Sequence, residues 1–120
     1  MEFYRIGPRS LDCYLGNEEL RDLRNARKSH GWQEVAGCGE RASQYKLKDA
    51  DTLQEWVILR SYWTDVLAYC PGTGEAVKLW DGWSATTAKH IHKFLAQWDK
   101  RGWNKKEWQD IAWGELVEVA

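Results

Sequence analysis

The sequence is short of the features that most often announce a function. Its three cysteines, Cys13, Cys38 and Cys70, form no CxxC pair. An odd, scattered set argues against a disulfide framework or a zinc-ribbon spacing, and points to reduced thiols in a cytosolic compartment. No apolar run exceeds a few residues, Trp56-Val57-Ile58-Leu59 being typical, whereas a membrane-spanning helix needs about 20. The stretch Met1-Glu2-Phe3-Tyr4-Arg5 lacks the apolar core of a secretory signal. No Pro/Ser-rich or low-complexity stretch divides the 120 residues, so one domain spanning 1–120 is expected. Charge of one sign is also missing. The 17 basic and 18 acidic side chains leave a net charge of −1. That balance gives no global field to attract DNA or an anionic membrane, and argues against a highly acidic mimic of nucleic acid.

What is present reads as an α+β domain: an antiparallel sheet of three to five strands, one long amphipathic helix packed on it, an N-terminal helix and a short C-terminal helix. Short strands are expected around Phe3–Ile6 and Asp12–Leu15. Asn17 can cap a helix to about His30, with Glu18 and Glu19 in the first turn and Arg27 and Lys28 in the last, matching the helix dipole. Residues 32–41 read as loop with a short strand. Ser43–Lys48 alternates, with Tyr45 and Leu47 on one face. Asp49–Thr52 reads as a turn. Trp56–Arg60 and Tyr62–Cys70 are β-branched and aromatic, Pro71-Gly72-Thr73-Gly74 is a turn, and Glu75–Trp80 alternates again. These pieces predict a meander of about four strands. Ser84, Thr86 or Thr87 then caps a helix to about Arg101, with Ala88, Ile91, Phe94, Leu95 and Trp98 as its buried stripe and Gly102 as terminator. Asn104 with Glu107 has capping-box spacing, and Trp103 with Trp108 fits a hydrophobic staple on a short final helix. Glu115–Ala120 adds a candidate edge strand.

Nine tryptophans are the most conspicuous feature. A small domain can fill its core with a few large rings, and Trp56, Trp63, Trp80 and Trp98 stand where that reading accounts for them. The last four recur every five residues. On one continuous helix that step turns about 140°, so they cannot share a face, and Trp103, Trp108 and Trp113 become candidate contact residues. Lys89, Lys93, Lys100, Arg101, Lys105 and Lys106 form a basic run opposed by Asp99 alone. The plain reading is the solvated side of a helix; the functional one is a surface that neutralises phosphates beside stacking rings. His90 and His92 point apart on a helix and do not converge on a metal. Cys38, His90 and Asp65 could be imagined as a thiol nucleophile and its supports, but no local signature backs them. Gly72-Thr73-Gly74 is too short for a phosphate loop. No catalytic, cofactor-binding or metal-binding residues are expected.

The segment Leu59–Tyr69, with Ser61-Tyr62-Trp63-Thr64-Asp65-Val66, followed by Leu79–Leu95, with Trp83-Ser84-Ala85-Thr86-Thr87-Ala88-Lys89-His90-Ile91-His92-Lys93-Phe94, resembles a pattern in small, largely uncharacterised phage and mobile-element proteins. The match spans about a third of the chain and brings no catalytic residues. It implies a genetic context, and with it a bacterial host cytoplasm. The expected function is a non-enzymatic accessory protein that binds a bacterial host protein or ribonucleoprotein complex, an anti-CRISPR-like inhibitor being one form. The alternative is a nucleic-acid-binding regulator using the Lys89–Lys106 surface.

Overall fold

In a computed structural model, the described residues are 33–35, 37–48 and 53–119. The expected strands near 3–6 and 12–15, the helix from Asn17 to His30 and the turn Asp49–Thr52 lie outside the described residues, as do Cys13 and Trp32. Six antiparallel strands follow one another in strict chain order. They are β1 (Gln33–Glu34), β2 (Ala42–Lys48), β3 (Glu55–Ser61), β4 (Thr64–Cys70), β5 (Glu75–Lys78) and β6 (Leu116–Glu118). Two helices, α1 (Ala85–Ala96) and α2 (Lys105–Asp110), lie between β5 and β6. No helix among the described residues is long and apolar enough to cross a membrane.

This corrects the expected architecture. The fold is mostly sheet, with six strands instead of three to five, and its longest described helix has 12 residues. The strands that extend the four-strand meander are edges of two and three residues, at the short strand expected within 32–41 and the candidate edge at Glu115–Ala120, and both join the same sheet. Helix α1 ends at Ala96, short of Arg101. Asp99 adopts a left-handed φ of 55°. Its N–H reaches the Ala96 carbonyl at 3.1 Å, and the Lys100 N–H reaches the Leu95 carbonyl at 3.1 Å. That is a Schellman closure with aspartate where glycine is usual. Gly102 serves close approach instead: its N–H bonds His92 Nδ1 at 3.1 Å, and a Cβ there would meet Ile91 Cγ2 at the same distance.

Both faces of the sheet are buried. On one, Val57, Leu59, Leu67, Tyr69 and Ala76 pack beneath Ile91, Phe94 and Leu95 of α1 and Trp108 of α2. On the other, Tyr45, Trp56, Ile58, Ala68, Cys70, Val77 and Leu79 cluster, with Trp113 against them. The central strands are therefore apolar runs rather than clean alternations. The register slips between Leu59 and Arg60, where Leu59 faces Leu67 but Arg60 faces Asp65. Val66 is the extra residue of this bulge, and both Val66 and Leu67 join the helix-side core. The slip turns Asp65 to the opposite face, where its Oδ2 accepts from the Tyr45 hydroxyl at 3.1 Å and Oδ1 lies 3.9 Å from Arg60 Nε.

Two polar devices seat the helices on the sheet. Gln44 of β2 and Gln97, just past α1, exchange amide hydrogen bonds of 2.8 and 2.9 Å. Lys78 of β5 is 2% exposed. Its ammonium donates to the carbonyls of Trp108 and Ile111 at 2.9 and 2.8 Å, closing the C-terminal end of α2. At the other end of α2, Asn104 and Glu107 form the expected capping box, and the Trp103 and Trp108 rings sit 5.6 Å apart as the staple requires.

Candidate functional site

The segments Ser61–Val66 and Ser84–Phe94, far apart in the chain, meet at one corner of the molecule. Ser84 caps α1, its hydroxyl accepting from the Thr87 N–H at 3.1 Å. This sets the helix so that Thr87 and His90 face the end of β3. Ser61 Oγ lies 3.2 Å from Thr87 Oγ1 and is hydrogen-bonded to His90 Nδ1 at 2.8 Å. All three side chains are buried. Burial, then the charges of Arg41 and Lys89, hold the His90 pKa below its ordinary value, so the imidazole is neutral at physiological pH. Ser61 closes β3, and the chain turns at once through Tyr62 and Trp63.

That turn is the exposed aromatic feature of the described surface. Trp63, expected in the core, is 72% exposed, and Tyr62 is 52% exposed. Tyr62 has φ 53°, a conformation that costs a bulky residue of order 1–3 kcal/mol and is found where surrounding structure holds it. Here the holding groups are visible. The Tyr62 N–H donates to the Arg41 carbonyl at 2.8 Å, and its ring lies 5.8 Å from that of His90. Arg60 lies over the Trp63 ring at 5.8 Å.

Arg41 ends a 3₁₀ turn (Gly39–Arg41) between β1 and β2. Between this turn and α1 lies a pocket of about 290 Å³. Arg41, Lys89 and Lys93 line it together with Cys38, Thr86 and His90. No carboxylate is among the described lining residues, and none of the three cations is in an ion pair with a described residue. Gly37 has φ +83°, and a Cβ there would come within 2.8 Å of Lys93 Nζ. The missing side chain leaves room for that ammonium against the turn. Cys38 is half-buried in the same wall. Burial pushes its thiol up, against the opposing pull of Lys93 and Lys89. The thiol is therefore protonated near neutrality and is not poised as a nucleophile. Asp65, the third member of the imagined triad, stands on the opposite face of the sheet, so Cys38, His90 and Asp65 do not assemble. Histidines 90 and 92 diverge, one buried and one exposed, and no cluster suited to a metal ion occurs among the described residues.

The nine residues singled out as partner contacts divide. Lys89 and Lys93, one helical turn apart, converge on the pocket. Lys105 and Lys106 are exposed on α2, Arg101 is exposed and Lys100 half-buried in the link before it. Trp108 is 0% exposed, its Nε1 donating to the Gly82 carbonyl at 2.9 Å, which removes it from any contact surface. Trp103 is half-buried beside Trp108, and Trp113 is half-buried against the other core, its Nε1 on the Leu79 carbonyl at 3.0 Å. Sequence reasoning missed Arg41 and Tyr62 and read Trp63 as core. The Tyr62-Trp63 turn contains no glycine, asparagine or aspartate to mark it, so both residues read as the start of the strand to Cys70, which begins instead at Thr64.

No curated protein and no solved structure matches the chain. A model for a family of unknown function, DUF8033, matches residues 9–110. The match takes in both motif segments, the pocket, the hairpin tip and both helices. This chain therefore belongs to the family of unknown function DUF8033.

Proposed function

We propose that the chain is a non-enzymatic accessory protein of a phage or mobile element, acting in the cytoplasm of a bacterial host by binding a host protein or ribonucleoprotein complex. An inhibitor of a defence complex, of the anti-CRISPR kind, is one concrete form. The observation that carries the reading is the hairpin tip. Tyr62 and Trp63 project two large rings into solvent from a backbone held in a strained conformation by Arg41 and His90. Aromatic anchors on a rigid support lose little entropy on binding and dominate binding energy when a partner covers them. The test is capture of a partner from bacterial lysate by the wild type and by Tyr62→Ala and Trp63→Ala variants with unchanged melting temperature. Loss of capture in the variants is expected. A partner held equally well without both rings would overturn the reading.

A second reading, a nucleic-acid-binding regulator, has its own observation. Three cations without described acidic partners line the same pocket as His90, whose ring lies 5.8 Å from that of the exposed Tyr62. Binding that falls steeply with added salt would favour it, since each neutralised phosphate releases counterions. Contact through aromatic anchors should be far less sensitive.

A further inference from the structure

We propose that the pocket between the Gly39–Arg41 turn and α1 is a receptor for the phosphate group of a nucleotide, free or at the 5′ end of a strand, with Arg41, Lys89 and Lys93 as its counter-charges. The site goes beyond the partner-binding role proposed for the hairpin tip and does not depend on it.

The charge arrangement is the first support. Arg41 comes from the β1–β2 turn, and Lys89 and Lys93 from successive turns of α1. Three like charges around one concavity repel one another, and no described carboxylate offsets them. An anion in the pocket would remove that repulsion. The first turn of α1 carries no acidic residue, and Ala85 and Thr86 bring its positive dipole end to the pocket wall. Gly37 is the second support. It leaves space in which the Lys93 ammonium can sit close to the turn.

The ligand class follows from charge and size. A phosphomonoester carries about −1.5 to −2 at neutral pH, a better match to three cations than the single charge of a phosphodiester. A volume of about 290 Å³ stands at the lower edge of the range for small-molecule sites. It holds a phosphate with its attached group rather than a length of strand. The nucleotide is favoured over a phosphorylated side chain by the neighbouring ring of Tyr62. That ring contacts the pocket-lining His90 and is half open to solvent, so it offers a face on which a base can stack.

The test uses the full chain and four probes: adenosine, adenosine 5′-monophosphate, and a single-stranded oligonucleotide with a 5′-phosphate or a 5′-hydroxyl. Titration calorimetry follows the small probes and fluorescence anisotropy the strands. The phosphorylated member of at least one pair should bind about tenfold tighter or more, as expected for charge-assisted bonds made only by the phosphate. That preference should collapse in Arg41→Met and Lys93→Met, whose solvent-accessible positions keep folding intact, with melting temperature as the check. Preference in the mononucleotide pair assigns a free nucleotide, and preference in the oligonucleotide pair alone assigns a strand end. The proposal is overturned if neither pair discriminates, or if the preference survives both substitutions. It is also overturned if a phosphoserine peptide binds more tightly than either phosphorylated probe.

Discussion

Replacing Lys78 by methionine keeps nearly the same side-chain volume and removes only the ammonium. In the native protein that ammonium is buried on the helix side of the sheet, donates to the Trp108 and Ile111 carbonyls, lies 3.5 Å from Asp81 Oδ1 and sits 5.0 Å above the Trp108 ring. The Asp81 carboxylate is 71% exposed, so that ion pair is screened and contributes little. The carbonyl bonds decide the outcome. A hydrogen bond to a charged group is worth about 1.5–3 kcal/mol, and a buried acceptor left unpaired costs about 1–3 kcal/mol. The Trp108 carbonyl keeps a second donor, the Ile111 N–H at 3.2 Å, which limits its share. Methionine also avoids the cost of burying a charge. The balance is a loss of about 3 kcal/mol, a large fraction of the roughly 5–15 kcal/mol available to a domain. With a urea slope of about 2 kcal/mol/M, the unfolding midpoint should fall by about 1.5 M. Lys106→Met, an exposed control on α2, should move it by less than about 0.5 kcal/mol. Equal midpoints for Lys78→Met and the control would refute the claim that this ammonium ties α2 to the sheet.

Burial holds His90 below its ordinary pKa, so as pH falls below about 6.5 the unfolded chain takes up a proton that the folded one refuses. Stability should be full above that value and decline as pH drops toward the folded pKa. The fall in melting temperature between pH 7.5 and 5.5 should be smaller in His90→Gln; equal falls would show that the imidazole is not held neutral. A Cβ at Gly82 would lie 2.3 Å from Trp80 Cζ2 and 2.5 Å from Cε2. Gly82→Ala should therefore cost about 1–3 kcal/mol in chemical denaturation, and an unchanged midpoint would mean that the indole moves aside freely. Asn104→Ala removes the side-chain acceptor of the capping box and should lower stability by about 1 kcal/mol; a loss below about 0.3 kcal/mol would show that water satisfies the Glu107 N–H as well as the cap does.

Features set by neighbouring residues were legible in the sequence. The strands around Tyr45 and Ile58, the turn at Pro71–Gly74, the Ser84 cap and the Asn104–Glu107 box each rest on local spacing, and each appears as expected. Features set by distant contacts were not. The end of α1 depends on aspartate accepting a left-handed conformation at 99, which composition does not announce. The turn at Tyr62-Trp63 violates turn preferences because Arg41 and His90 stabilise it from elsewhere in the chain. For the candidate site, Lys89 and Lys93 could be placed on one helix face from their spacing. Arg41 joins them only because the antiparallel register pairs Ala42 with Ser61, which brings its turn beside the end of β3. Trp108 misled for a related reason: its staple position was right, but the sheet beneath α2 buries it completely.

The strict chain order of the sheet has a kinetic consequence. Each strand from β1 to β5 pairs with one reached through a short connection, whereas β5 meets β6 only across residues 79–115. Closing that longer loop costs about 2 kcal/mol more than closing a turn of four residues, from the logarithmic dependence of closure entropy on length. The hairpins should therefore assemble early and the β6 seam last, with both helices already in place. Ala76 and Val117, paired across that seam, would then be the positions where substitutions speed unfolding while leaving the folding rate nearly untouched.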